Sequence, residues 1–147
     1  MKKGITIAIL LFSSIAFSQI KVIETVPVEK LGRVNNSFYV QKIGEEYTIF
    51  YATIQDDEET EGLKNFTFKN VDNDYQSLYS IISNGFAANP LNDIKLELPN
   101  NYVWLHFNVN SDKTTTVQFM VSNKLASSTS VSEPLSKNQV EKLFQKS

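Results

Sequence analysis

The chain has 147 residues, with 14 basic and 16 acidic side chains, one histidine, one tryptophan and no cysteine. Without cysteine there are no disulfides, no thiolate catalysis, no cysteine-ligated zinc or iron–sulfur site, and no lipid attachment at an export cleavage point. A net charge of −2 without a basic cluster argues against nucleic acid as a partner, because that affinity rests on neutralising phosphates.

The opening stretch, MKKGITIAILLFSSIAFSQ, places Lys2 and Lys3 before an apolar run over residues 5–12 and small residues at positions 16 and 18. This is the layout of a secretory signal peptide, and the apolar run is too short to span a bilayer. Cleavage is expected after Ser18, leaving Gln19 first, 12 basic against 16 acidic residues, and a net charge of −4. The remaining 129 of the 147 residues suffice for one domain with an ordinary core. No later apolar run reaches transmembrane length, so the expected product has no transmembrane segment and resides in the periplasm or outside the cell. The Lys-Lys opening and the missing cysteines suit the envelope of a Gram-negative bacterium.

Residues 19–36 read as an N-terminal extended segment, with an edge strand expected around 20–26 before Pro27 and Gly32. Residues 37–147 read as a single α+β domain. "FYVQKIGEEYTIFYA" has the period of a hairpin turning at Gly44-Glu45, where glycine first suits a type II′ turn. That register puts Phe38 and Val40 on one face with Tyr47, Ile49 and Tyr51. The next stretch packs Asp56, Asp57, Glu58, Glu59 and Glu61 into six positions, a density of like charge that reads as a solvated loop. Its alternative reading is a hard-cation site ligated by those five carboxylates, although the alternating ligands and central glycine of an EF-hand are missing.

"LKNFTFKN" is a strand with Phe66 and Phe68 on one face. Tyr75, Leu78, Tyr79, Ile82 and Phe86 then fall at steps of three and four, predicting a helix capped by Asp72 or Asp74 and stopped by Asn84-Gly85 and Pro90. "DIKLEL", "YVWLHFNV" and "TTVQFMVS" are three further strands. "NKLASSTSVSEP" reads as a loop, and "LSKNQVEKLFQKS" as a short helix with a Ser136–Gln139 capping box over Val140, Leu143 and Phe144. The expected fold is α+β, an antiparallel sheet of about six strands in the order β-β-β-α-β-β-β-α, with the helices packed on it.

Register decides the character of the only tryptophan and histidine. Setting Leu98 opposite Val103 and Leu96 opposite Leu105 gives an unmixed apolar face, which pairing Phe107 with Val117, Leu105 with Phe119 and Val103 with Val121 continues. Tyr102, Trp104, His106 and Asn108 then face the other way, beside Thr116, Gln118 and Met120. The candidate binding residues are Tyr102, Trp104, His106, Gln118 and Met120, a mixed aromatic and polar surface. In this register His106 has Lys95 and Gln118 as direct neighbours and Glu97 only diagonally, so no catalytic triad is expected. No Gly-rich phosphate loop, G-x-S-x-G or H-E-x-x-H occurs, and no catalytic residue or cofactor is implied. The expected function is an exported, non-enzymatic binding domain for a protein or envelope component. Its alternatives are an envelope assembly component that offers a sheet edge, and a metal-dependent hydrolase using the acidic loop.

Overall fold

A computed structural model describes residues 20–54 and 63–146. Strand alternation builds its first sheet. β2 (Phe38–Ile43) and β3 (Glu46–Tyr51) pair with Phe38 opposite Tyr51 and Val40 opposite Ile49, the register that the hairpin reading requires. Gly44 has φ +60 and Glu45 does not share the positive φ, as a type II′ turn demands. β4 (Lys64–Lys69) adds Phe66 and Phe68 to the same face. The edge strand at the other side is β1 (Val28–Asn35), not residues 20–26, which lie in no strand. Pro27 has no N–H to give a ladder, so pairing starts after it.

α1 (Asp74–Ala88) presents the predicted stripe, with Leu78 and Ile82 buried. Its ends differ from the expectation. Asn73, in the left-handed conformation, occupies the N-cap without a side-chain capping bond, while Asn70 Oδ1 accepts from the Tyr75 N–H. The helix also runs through Asn84-Gly85 and stops at Asn89, whose own left-handed backbone returns its N–H to the Gly85 carbonyl ahead of Pro90. Gly85 serves packing instead of termination, since a Cβ there would overlap the Phe107 ring.

Beyond α1 come β5 (Ile94–Glu97), β6 (Asn101–Val109), β7 (Thr115–Asn123), β8 (Thr129–Val131) and β9 (Leu135–Ser136). They form a second antiparallel sheet ordered β5-β6-β7-β8, with β9 also on β7. The architecture is therefore α+β with two antiparallel sheets and nine strands among the described residues, not one sheet of six. The Ser/Thr-rich segment expected as a loop supplies β8, and Ser132 just after it is fully buried. Its Oγ accepts from the Phe119 N–H at 2.9 Å and donates to the Glu133 carbonyl.

The two apolar faces meet at Phe119, whose ring lies 5.8 Å from both Phe38 and Phe66. The exit of β3 stitches the sheets together: Ile54 N–H donates to the Val131 carbonyl, and Glu133 N–H to that of Ala52. α1 closes one side, with Tyr75 stacked on Tyr47 at 4.4 Å and Phe86 edge-on to Phe107. α2 (Lys137–Leu143) carries the predicted capping box, and Val140, Leu143 and Phe144 enter the core. It docks on β1 where Gly32 has no side chain; a Cβ there would overlap the Leu143 carbonyl. No described helix is long and apolar enough to cross a membrane.

Candidate functional site

Period-2 alternation makes β6 two-faced. Val103, Leu105 and Phe107 enter the core, and Tyr102, Trp104 and His106 stand half-exposed on the other side. β7 pairs with β6 in the expected register, so Met120 lies opposite Trp104 and Gln118 opposite His106. All five candidate binding residues therefore share one outer face. Both helices pack on the inner side, α1 against Phe107 and α2 through its buried Val140 and Leu143.

The β5–β6 register differs by two residues from the expected one. Leu96 opposes Val103 and Ile94 opposes Leu105, because a two-residue turn at Pro99-Asn100 joins the strands, closed by the Leu98 N–H to the Asn101 carbonyl. A two-residue slip keeps every side chain on its face but changes its neighbours. Lys95 stands beside Trp104 and Glu97 beside Tyr102. The place beside His106 falls to Asp93, one step before β5.

This alters the chemistry of His106. Its Nδ1 lies 2.7 Å from Asp93 Oδ1, so the ring donates to a carboxylate that sequence reasoning did not assign to it. That bond leaves Nε2 as the accepting nitrogen of the neutral ring. The adjacent side chains on this face are Gln118, Trp104 and Asn108, none of them a nucleophile. Gln118 is itself committed, donating Nε2–H to the Ser132 carbonyl at 3.1 Å. The pair orients an imidazole for hydrogen bonding and does not complete a triad.

Two lysines shape the aromatic part. Lys95 Nζ sits 4.3 Å from the Tyr102 ring centre and 5.2 Å from that of Trp104, and Lys124 Nζ sits 5.1 Å from Tyr102. Such contacts are worth about 0.5–1 kcal/mol each at exposed sites. Lys124 also donates to Glu97 at 2.9 Å, and that bond with its charge holds the Glu97 carboxyl below its ordinary pKa. The Tyr102 and Trp104 rings are 6.2 Å apart and tilted by 50°. The resulting surface is an aromatic pair under ammonium groups, flanked by a fixed imidazole.

Lys124 and Asp93 escape a reading of strand pattern because both lie just outside strands. Asp93 is recoverable from sequence by letting Pro99-Asn100 form the whole turn. The five carboxylates Asp56, Asp57, Glu58, Glu59 and Glu61, and residues 1–18 with the signal-peptide features, lie outside the described residues. Among the described residues no three His, Asp or Glu side chains converge as metal ligands.

A separate polar cleft of about 340 Å³ opens between the sheets near Tyr51, Asn65, Asn101, Asn123 and Ser128. At its floor the Tyr51 hydroxyl meets Ser130 Oγ at 2.6 Å, and burial pushes the Tyr51 pKa up against the opposing effect of that bond. Comparison of the chain with protein-family models, curated proteins and solved structures finds no match.

Proposed function

We propose that this chain is an exported, non-enzymatic binding domain of the bacterial envelope, whose recognition surface is the outer face of β6 and β7. The observation that carries the reading is the half-exposed Tyr102–Trp104 pair under Lys95, with the Asp93–His106 pair at its flank. Aromatic side chains that are rigid, partly exposed and bordered by satisfied polar groups supply contact area at little entropic cost, which is what binding hot spots need. The polar groups of this face are tied to one another and not aimed at a reacting atom, which favours recognition over turnover. Export rests on the Lys2-Lys3 opening, the apolar run and the small residues before Gln19.

Two measurements test the proposal. Cell fractionation with N-terminal sequencing is expected to find the protein in the periplasm or medium, beginning at Gln19. A cytoplasmic, full-length chain contradicts export. Trp104→Ala is expected to keep the wild-type far-ultraviolet spectrum and to lose the envelope protein that wild type retains in cross-linked pull-downs. Equal retention by both proteins would remove the assigned surface.

A further inference from the structure

The alternation that builds the core stops short at one end of the sandwich. Inward positions on β6 and β7 are apolar from Phe107 to Val103 and from Val117 to Val121. The next inward position on each strand is an asparagine, and the register sets Asn101 directly opposite Asn123. The first sheet does the same, since beyond buried Phe66 that face continues to Lys64, which pairs with Tyr51. Inward strand positions ordinarily take apolar side chains, yet here both sheets bring polar ones to the space between them. At the opposite end α1 shuts the layers, with Gly85 and Phe86 against Phe107. At this end they part into the polar cleft of about 340 Å³.

The lining groups are of both hydrogen-bonding senses. The Asn101 amide gives an N–H to the Ser122 carbonyl at 3.4 Å, which leaves its oxygen to accept. Asn123 is the reverse: its Oδ1 accepts from the Leu125 N–H at 2.8 Å, which leaves its NH₂ group to donate. The Tyr51 and Ser130 hydroxyls share one hydrogen between them and keep the other to give away. Val121 and Val131 add apolar surface. Among the described residues that line the cleft only Lys64 is charged, and no described carboxylate pairs with it.

This combination selects a ligand class. A simple anion wants donors throughout, whereas an acceptor and a donor stand side by side here. An apolar ligand would take water from the amides and hydroxyls and return no bonds. Adjacent hydroxyls of a sugar ring both donate and accept, and the C–H groups of that ring suit the valines. The unpaired ammonium adds a place for a carboxylate. The volume lies at the small end of ligand pockets, about 300–1,000 Å³, which suits one ring.

We propose that the cleft between the sheets is a binding site for an acidic sugar, a hexuronate in its ring form. Asn101 and Asn123 hold two adjacent hydroxyls, the Tyr51–Ser130 pair holds a third, and Lys64 takes the carboxylate. The site uses no residue of the outer face of β6, so it stands or falls separately from the proposed function.

Nuclear magnetic resonance titration of isotope-labelled protein is the test, with glucuronate and galacturonate as probes and glucose and acetate as comparisons. At least one uronate is expected to shift the side-chain amide signals of Asn101 and Asn123 by ~10 mM, a range that covers a Kd of ~1 mM. Glucose, without the carboxylate, and acetate, without the hydroxyls, are each expected to bind at least ~10-fold more weakly. Lys64→Met is expected to keep the wild-type circular dichroism and to reduce the uronate to the affinity of glucose. Asn123→Leu, at an exposed position, is expected to keep the fold and to weaken both sugars at least ~10-fold. The proposal is overturned if neither uronate shifts the cleft residues, or if acetate binds as tightly as the uronate. A preference over glucose that is absent or that survives Lys64→Met overturns it too, as does undiminished binding by Asn123→Leu.

Discussion

Gly85 brings the backbone of α1 directly against the ring of Phe107, in space that a Cβ would need. In an exposed helix, alanine would be the better residue by about 1 kcal/mol. Here the ring is 7% exposed and held edge-on by Phe86 at 5.3 Å, so it has little room to give. Gly85→Ala is therefore expected to destabilise the fold by roughly 1–3 kcal/mol in urea unfolding. Adding Phe107→Leu should return part of that loss; a more stable Gly85→Ala protein would show that the contact does not control the helix.

Tyr75 makes the opposite case. Its ring stacks on Tyr47 and touches Phe144, but its hydroxyl is buried without a hydrogen-bond partner. Tyr75→Phe keeps the ring contacts and removes the unsatisfied oxygen, so stability should stay level or rise by up to about 2 kcal/mol. Burial, and secondarily Tyr47, push the Tyr75 pKa up from the ordinary 10.0 to about 12. Above pH 10.0 the unfolded chain ionises this group first, so its contribution is present below that pH and is lost as pH climbs toward about 12. Alkaline unfolding followed by circular dichroism should begin in that window and shift upward in Tyr75→Phe, with Tyr51, also raised, retaining part of the effect.

Ser132→Ala removes the oxygen that accepts from the Phe119 N–H at a fully buried position. The stranded donor should reduce stability by about 1–3 kcal/mol, read as a lower urea midpoint at unchanged slope.

The two faces of β6 should respond unequally. Leu105→Ala, at 0% exposure, is expected to lose about 2–5 kcal/mol. Trp104→Ala gives up a half-exposed ring and one lysine contact, and should lose less than about 2 kcal/mol in the same assay. Comparable losses would mean that Trp104 is structural and not a recognition residue.

How much of this was legible depended on what a pattern can encode. The β6–β7 pairing could be read because only one register gives Val103, Leu105 and Phe107 the apolar partners Val121, Phe119 and Val117 together, a shift of two setting Val103 against Asn123 or Phe107 against Thr115. The β5–β6 pairing could not, since a shift of two leaves each face intact and only the turn length decides. That slip hid the Asp93–His106 pair, and with it the best argument for an oriented imidazole on the outer face. β8 was masked by composition: serine and threonine signal a loop until Phe119 supplies a partner for the Ser132 hydroxyl. Two sheets in place of one follow from Tyr75 and Phe86 contacting opposite sheets, a long-range choice that no local period records.

The close approach of Gly32 to Leu143 ties the first strand to the last helix. The pairings of the first sheet join neighbours in sequence and could form once Lys69 is available, yet the α2-facing side of β1 stays open until residues 137–143 arrive. The C-terminal helix is thus a latch. A chain that lacks that end can assemble hairpins but cannot lock, so the final structure is acquired by the whole molecule at once and protease resistance should appear only when the latch is present.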